Sequence, residues 1–252
     1  MAIPAKTIDE VLEELDRIID STVNENNFLG IFAYVYRRTT AQIQQAIREK
    51  EFEDNDRMAL MDVAFANLYL TAYQRYSDNQ GCSASWEKAF KAKHEKITIM
   101  QHLMLGMNAH INLDLGVAAA TFAPGANLPA LKNDFMKVNQ VLNDLTNEIQ
   151  ARVSRVSRLM FILDILGKNT DEKIANFSMV KAREQAWNLA ERLAEKDESG
   201  RKSLINNADH TIAAFGALLI YPPGKLLKMA LKLVAFFEEK DVKTIISRLK
   251  ED

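Results

Sequence analysis

One cysteine stands in 252 residues, so no intrachain disulfide can brace the fold. Cys82 lies between Gly81 and Ser83, a loop composition, and is expected to be an exposed, dispensable thiol. Turn-makers are scarce as well. With only nine Gly and five Pro, and with Ala, Leu, Lys, Glu, Gln and Met abundant, the chain favours helices over strands. No run approaches the roughly 20 apolar residues that span a bilayer, and the start Met1-Ala2-Ile3-Pro4-Ala5-Lys6 lacks the apolar core of a secretory signal. A soluble, cytoplasmic protein is the expectation. An excess of positive charge is also missing: 32 Lys and Arg face 34 Asp and Glu, so nucleic acid is not an expected partner.

What is present suits an all-α protein, a single multi-helix bundle of eight to ten helices. A hydrophobic share of 48% over this length fills one sizeable core or two small ones. No repeat, low-complexity tract or linker divides residues 1–252, so one domain is expected. Thr7-Ile8-Asp9-Glu10 reads as a capping box opening a helix whose Ile8, Val11, Leu12, Leu15, Ile18 and Ile19 keep helical spacing. Further helices are expected over 28–50, from Asp54 or Asn55 to Tyr76, and over 86–121. An interrupted helical pattern follows over 130–166, then helices from 170 or 171 through 193, 200–218, 226–237 and 241–250. The stretch 100–120 carries almost no charge, and a helix apolar nearly all round is surrounded by others, so 86–121 is placed at the centre.

The chemistry concentrates in that central segment. His110 and Asp114 are four residues apart and share one helical face, with His102 two turns earlier and displaced by roughly 80°. Gly106, Leu113 and Val117 complete the stripe, so these polar groups enter a core, where an unpaired charge is costly. Either a divalent metal such as zinc or a hydrogen-bonded network would satisfy them. Asp62 would supply a second carboxylate if it points inward, or else sits at its helix edge. His210 would add a ligand from another helix, or else is a hydrogen-bonded residue beside Asp209; His94, among lysines, is read as a surface residue. Asn67 and Asn108 would extend a polar network. Arg183 and Trp187, on one helical face, either close over a pocket or pack as a cation on a ring. Gly106 implies a close helix approach or a bend. Near the end of the chain, Lys225, Lys228 and Lys232 run beside Leu226, Leu227, Leu231, Leu233, Val234 and Phe237. That pattern fits contact of 225–237 with a membrane surface or packing on the bundle with the lysine stems outward.

Read as H-L-M-L-G-M-N-A-H-I-N-L-D-L, His102 to Leu115 resembles the signature of an uncharacterised all-helical bacterial family known only as a domain of unknown function. Phe65-Ala66-Asn67-Leu68-Tyr69-Leu70 and Ala182-Arg183-Glu184-Gln185-Ala186-Trp187 resemble its other recurrent segments. The resemblance covers most of the chain and implies a fold but no activity. More distantly, Gly106-x3-His110-x3-Asp114 resembles the central helix of zinc-dependent phospholipase C and related nucleases, which implies metal binding by His110 and Asp114. The chain departs from that family in beginning with Met1 rather than Trp, and in following Asp114 with Leu115-Gly116-Val117-Ala118-Ala119-Ala120. A one-metal or two-metal site is what survives.

Two functional readings follow. In one, an uncharacterised helical protein uses a buried His/Asp polar site to bind a partner or small ligand. In the other, a metal-dependent hydrolase holds its ion with His102, His110, Asp114 and either Asp62 or His210, and activates water against a phosphoester or lipid-like substrate.

Overall fold

The computed structural model describes residues 4–157 and 179–251, and among these every regular element is helical. Several starts follow their local caps. Thr7 accepts from the Glu10 amide to open α1 (Ile8–Asn24), and Asp54 accepts from the Arg57 amide to open α3 (Asn55–Ser77). Losing such a cap typically costs about 1 kcal/mol. Between them, α2 (Leu29–Arg48) buries every residue from Leu29 to Tyr36, as its apolar first half predicts. Helix α1 lays Ile8, Val11, Leu15, Ile18 and Ile19 against it.

The segment expected as one helix over 86–121 is divided. Helix α4 (Ala84–Lys91) tightens into a 3-10 turn at Ala92–His94, and the chain is extended at Glu95 before α5 (Ile99–Ala109) begins. The cause is a capping box: Thr98 accepts from the Gln101 amide while the Gln101 side chain accepts from the Thr98 amide. Gln101 also donates to the Leu219 carbonyl at 2.6 Å, and the Ile99 amide donates to Glu238 at 2.8 Å, so remote chain holds the break open. A π turn at His110–Asp114 then leads into α6 (Leu115–Phe122). Central position is retained. Leu103, Leu105 and Ala109 belong to one buried cluster and Leu113, Ala118, Ala119 and Ala120 to a second, so the α5–α6 run passes from one core into the other.

The remaining described elements are α7 (Leu128–Val141), α8 (Asn143–Val156), α9 (Met179–Ala194), α10 (Glu198–Ile220), α11 (Lys225–Phe237) and α12 (Val242–Lys250). The break between α7 and α8 at Leu142 is the interruption expected over 130–166. The end of that pattern, over 158–166, and the helix start at 170 or 171 lie outside the described residues. Cys82 does sit in a loop, but it is half-buried, and burial pushes its thiol up to about 11. The expectation of an exposed, reactive thiol is therefore corrected; Glu87 and Asp209 add to the burial effect by disfavouring a thiolate.

Two glycines mark close approaches. At Gly106 the Phe32 ring of α2 occupies the space a Cβ would need, and at Gly116 a Cβ would lie 2.7 Å from the Ala186 carbonyl oxygen of α9. The second obstacle is backbone inside a helix and cannot yield by rotating. Gly116→Ala is expected to cost about 1–3 kcal/mol, the usual range for overpacking. Gly216→Ala, whose Cβ would first meet the flexible Lys88 stem at 3.3 Å, should change stability by under about 1 kcal/mol. Urea unfolding of both variants checks this; equal stabilities would mean that α6 and α9 do not pack backbone to side.

Candidate functional site

His110 and Asp114 bracket the π turn, a helix irregularity that recurs at functional sites. His110 Nδ1 lies 3.1 Å from Asp114 Oδ2, and the same oxygen accepts from Trp86 Nε1 of α4 at 2.8 Å. Two donors converging on one oxygen favour the carboxylate, which assigns the imidazole proton to Nδ1 and leaves Nε2 as an acceptor. Burial pushes Asp114 up and His110 down, while the bond between them opposes both shifts. His110 Nε2 is buried and has no hydrogen-bond partner.

Aromatic rings fix the imidazole plane. Phe65 of α3 stacks on it at 3.7 Å with 9° between planes, and Tyr36 of α2 meets it edge-on at 4.4 Å. Phe32, Tyr69 and Trp86 surround it at 5.9 to 6.0 Å. The Tyr36 phenol is raised well above its ordinary range by burial and by the nearby Asp62 charge.

Asp62 does point inward. Burial pushes its carboxyl up to about 7, against the pull of Arg183, and its Oδ2 has no partner. Arg183 of α9 donates through Nη2 to the Phe135 carbonyl at 2.6 Å and lies 4.6 Å from the Phe135 ring centre. Burial draws its guanidinium down to about 10, against the pull of Asp62, and its Nε is unpartnered. His110 and Arg183 both line a cavity of about 280 Å³ whose other walls are apolar apart from Tyr36 and Thr39, with Met100, Met104 and Met107 of α5 along one side.

The other expected site residues lie elsewhere. His102 is buried against the Phe28 ring at 4.9 Å, where burial, with Lys240 adding to it, pushes it down to about 4. His210 is exposed on α10. Asn67 exchanges two hydrogen bonds with the Ala5 backbone and ties down the N-terminal segment instead of joining the site. Asn108 donates to the Ile212 carbonyl at 2.9 Å and accepts from Asn112, linking α5 to α10. Trp187 packs on Phe135 and donates to Glu191, so the ring beneath the Arg183 cation is Phe135 and not Trp187. Among the described residues no three His, Cys, Asp or Glu side chains converge to hold a metal ion. The expected ligand set of His102, His110, Asp114, Asp62 and His210 therefore does not assemble: His102 and His210 face different surroundings, and only His110 and Asp114 are in contact. Trp86, Tyr36 and Phe65 complete the site from three other helices. The one sequence signal for Trp86 is that a buried indole N–H needs an acceptor.

A protein-family profile described as a family of unknown function (DUF5995) matches residues 8–222. The chain belongs to that family. The match agrees with the expectation of an all-helical family of unknown function, and it spans every residue of the site described above. No curated protein and no solved structure matches the chain.

The buried groups give the DUF5995 fold two opposing pH dependences. Asp62 keeps its proton to about pH 7 in the folded chain and releases it near 3.8 in the unfolded one, so its contribution is lost as pH rises between those values. His102 stays neutral down to about pH 4 when folded but titrates near 6.5 when unfolded, so its contribution grows as pH rises from 4 to 6.5. Asp62→Asn should gain stability relative to wild type as pH rises through that window, and His102→Phe should lose it. Urea unfolding at several pH values checks this; a pH-independent difference for Asp62→Asn would refute the assignment.

Proposed function

We propose that this protein binds a small, mostly apolar molecule bearing a hydroxyl or carboxyl end in the cavity beneath α5. The observation that carries the reading is an unpartnered, buried Nε2 on His110, one of the residues that wall a mostly apolar space. Leaving such an acceptor unsatisfied costs about 1–3 kcal/mol, and a ligand O–H would recover it. Arg183 Nε, also unpartnered at that cavity, offers a donor to a ligand oxygen.

Size and wall chemistry support the same class. At about 280 Å³ the space falls just below the common range of roughly 300–1,000 Å³ for small-molecule sites, which points to a medium-chain or single-ring body. Met100, Met104 and Met107 recur at helical spacing on α5, and methionine adapts its unbranched, polarisable side chain to irregular apolar shapes. The aromatic cage and the Asp114 bond hold the imidazole in place before any ligand arrives, which lowers the ordering cost of binding.

Thermal unfolding in the presence of 1-decanol and of decanoic acid tests the proposal. A saturable rise in melting temperature is expected, growing with the logarithm of ligand concentration above the dissociation constant. Met104→Trp should abolish it by filling the space. His110→Phe should weaken decanol binding by roughly 2- to 10-fold, the worth of one hydrogen bond. No shift with either probe, together with no organic molecule in a mass-spectrometric extract of the purified protein, would dispose of the reading.

A further inference from the structure

Helix α11 has two apolar faces. Ala230, Val234 and Ala235 are buried on the bundle, while Leu226, Met229, Leu233, Phe236 and Phe237 stand between 46 and 76% exposed. Projected at about 100° per residue, the bared side chains fill an arc of roughly 100°, and Lys225, Lys228 and Lys232 fill the wedge of roughly 60° that adjoins it. Packing on the bundle with the lysine stems outward therefore accounts for only one of the two faces. Seven of the nine large hydrophobic side chains that are exposed among the described residues fall between Leu218 and Phe237, a concentration that separates a patch from scattered surface residues.

The charges beside the patch are not balanced locally. Among the described residues no carboxylate makes an ion pair with Lys225, Lys228 or Lys232. The neighbouring acids are occupied. Glu238 turns inward to the Ile99 amide and Ser157, Glu239 accepts from the Lys240 and Asp241 amides and faces Arg248, and Glu95 accepts from the Tyr221 hydroxyl. The chain as a whole carries a formal charge of −2, so any attraction for an anionic surface comes from this helix and not from a global field.

We propose that the exposed face of α11 docks on an anionic lipid surface, with Leu226, Met229, Leu233, Phe236 and Phe237 entering the acyl boundary and the three lysines at the phosphates. An apolar arc beside a lysine row is what an interfacial helix requires. No described helix is long and apolar enough to cross a membrane, so the contact is peripheral. The inference is independent of the cavity, which lies on other elements.

The full chain should co-sediment with vesicles of phosphatidylcholine and phosphatidylglycerol, bind at least tenfold more weakly to phosphatidylcholine alone, and release as salt is added. Replacing Lys225, Lys228 and Lys232 together by Gln should weaken binding on the order of a hundredfold, about fivefold per lysine. Phe236→Ser with Phe237→Ser should abolish it while leaving the circular dichroism and melting temperature of the exposed-site variant unchanged. Absence of binding to the anionic vesicles, or binding by both variants equal to that of the wild type, would overturn the proposal. So would a dimer in sedimentation equilibrium that the Phe236→Ser, Phe237→Ser variant dissolves, since that result gives the face to a second copy of the chain.

Discussion

A single carboxylate oxygen, Asp114 Oδ2, receives both the Trp86 indole and the His110 imidazole, and this convergence joins α4 to the π turn at the seam of the two cores. Other buried acids take backbone amides instead. Asp209 of α10 accepts from the Ala84 and Ser85 amides at the start of α4, Asp134 of α7 from the Glu53 and Asp54 amides before α3, and Glu238 from the Ile99 amide at the start of α5. Each carboxylate meets amide donors that a helix start leaves unsatisfied and that carry partial positive charge. The donors lie 80 to 139 residues away in sequence. Three helix starts are thus completed by distant chain, which couples local helix formation to tertiary assembly.

Burial outweighs attraction where such pairing is incomplete. Asp62 and Arg183 pull on each other, yet Asp62 is raised and Arg183 lowered, both in the direction that desolvation dictates. Each retains one buried polar atom without a partner. Arg183 lines the same cavity as His110, whose Nε2 is also unpartnered, while the acids at the helix starts are well supplied with donors. Polar satisfaction is therefore uneven across the molecule.

Much of this was legible one turn at a time. The Thr7 cap, the buried first half of α2, the shared face of His110 and Asp114, and the close approach at Gly106 are all local patterns of spacing or size. The break before α5 was written in Thr98 and Gln101, but the lysine-rich stretch ahead of it keeps enough helical periodicity to hide a capping box. His102 and His210 show the other limit. Periodicity says which residues share a face, while the neighbour that covers the face is set by packing between remote elements, which bring Phe28 against His102. Trp86 lies 28 residues before its acceptor, a separation that carries no periodic signal. On α11 the apolar pattern is visible, but whether two faces or one are covered depends on the size of the surface that the bundle offers.

The π turn has a consequence for insertions and deletions. Removing one residue between His110 and Asp114 would restore regular α-helical winding and leave everything beyond in its present phase, because the π turn already takes up the roughly 100° that one residue adds. Straightening the turn with all its residues kept would instead swing Gly116 away from the Ala186 carbonyl and drive a residue with a Cβ toward α9 in its place. The turn thus takes up an extra residue without disturbing how α6 meets α9. Chains that keep both cores would carry either this π turn or plain α winding one residue shorter, but not plain α winding of the same length.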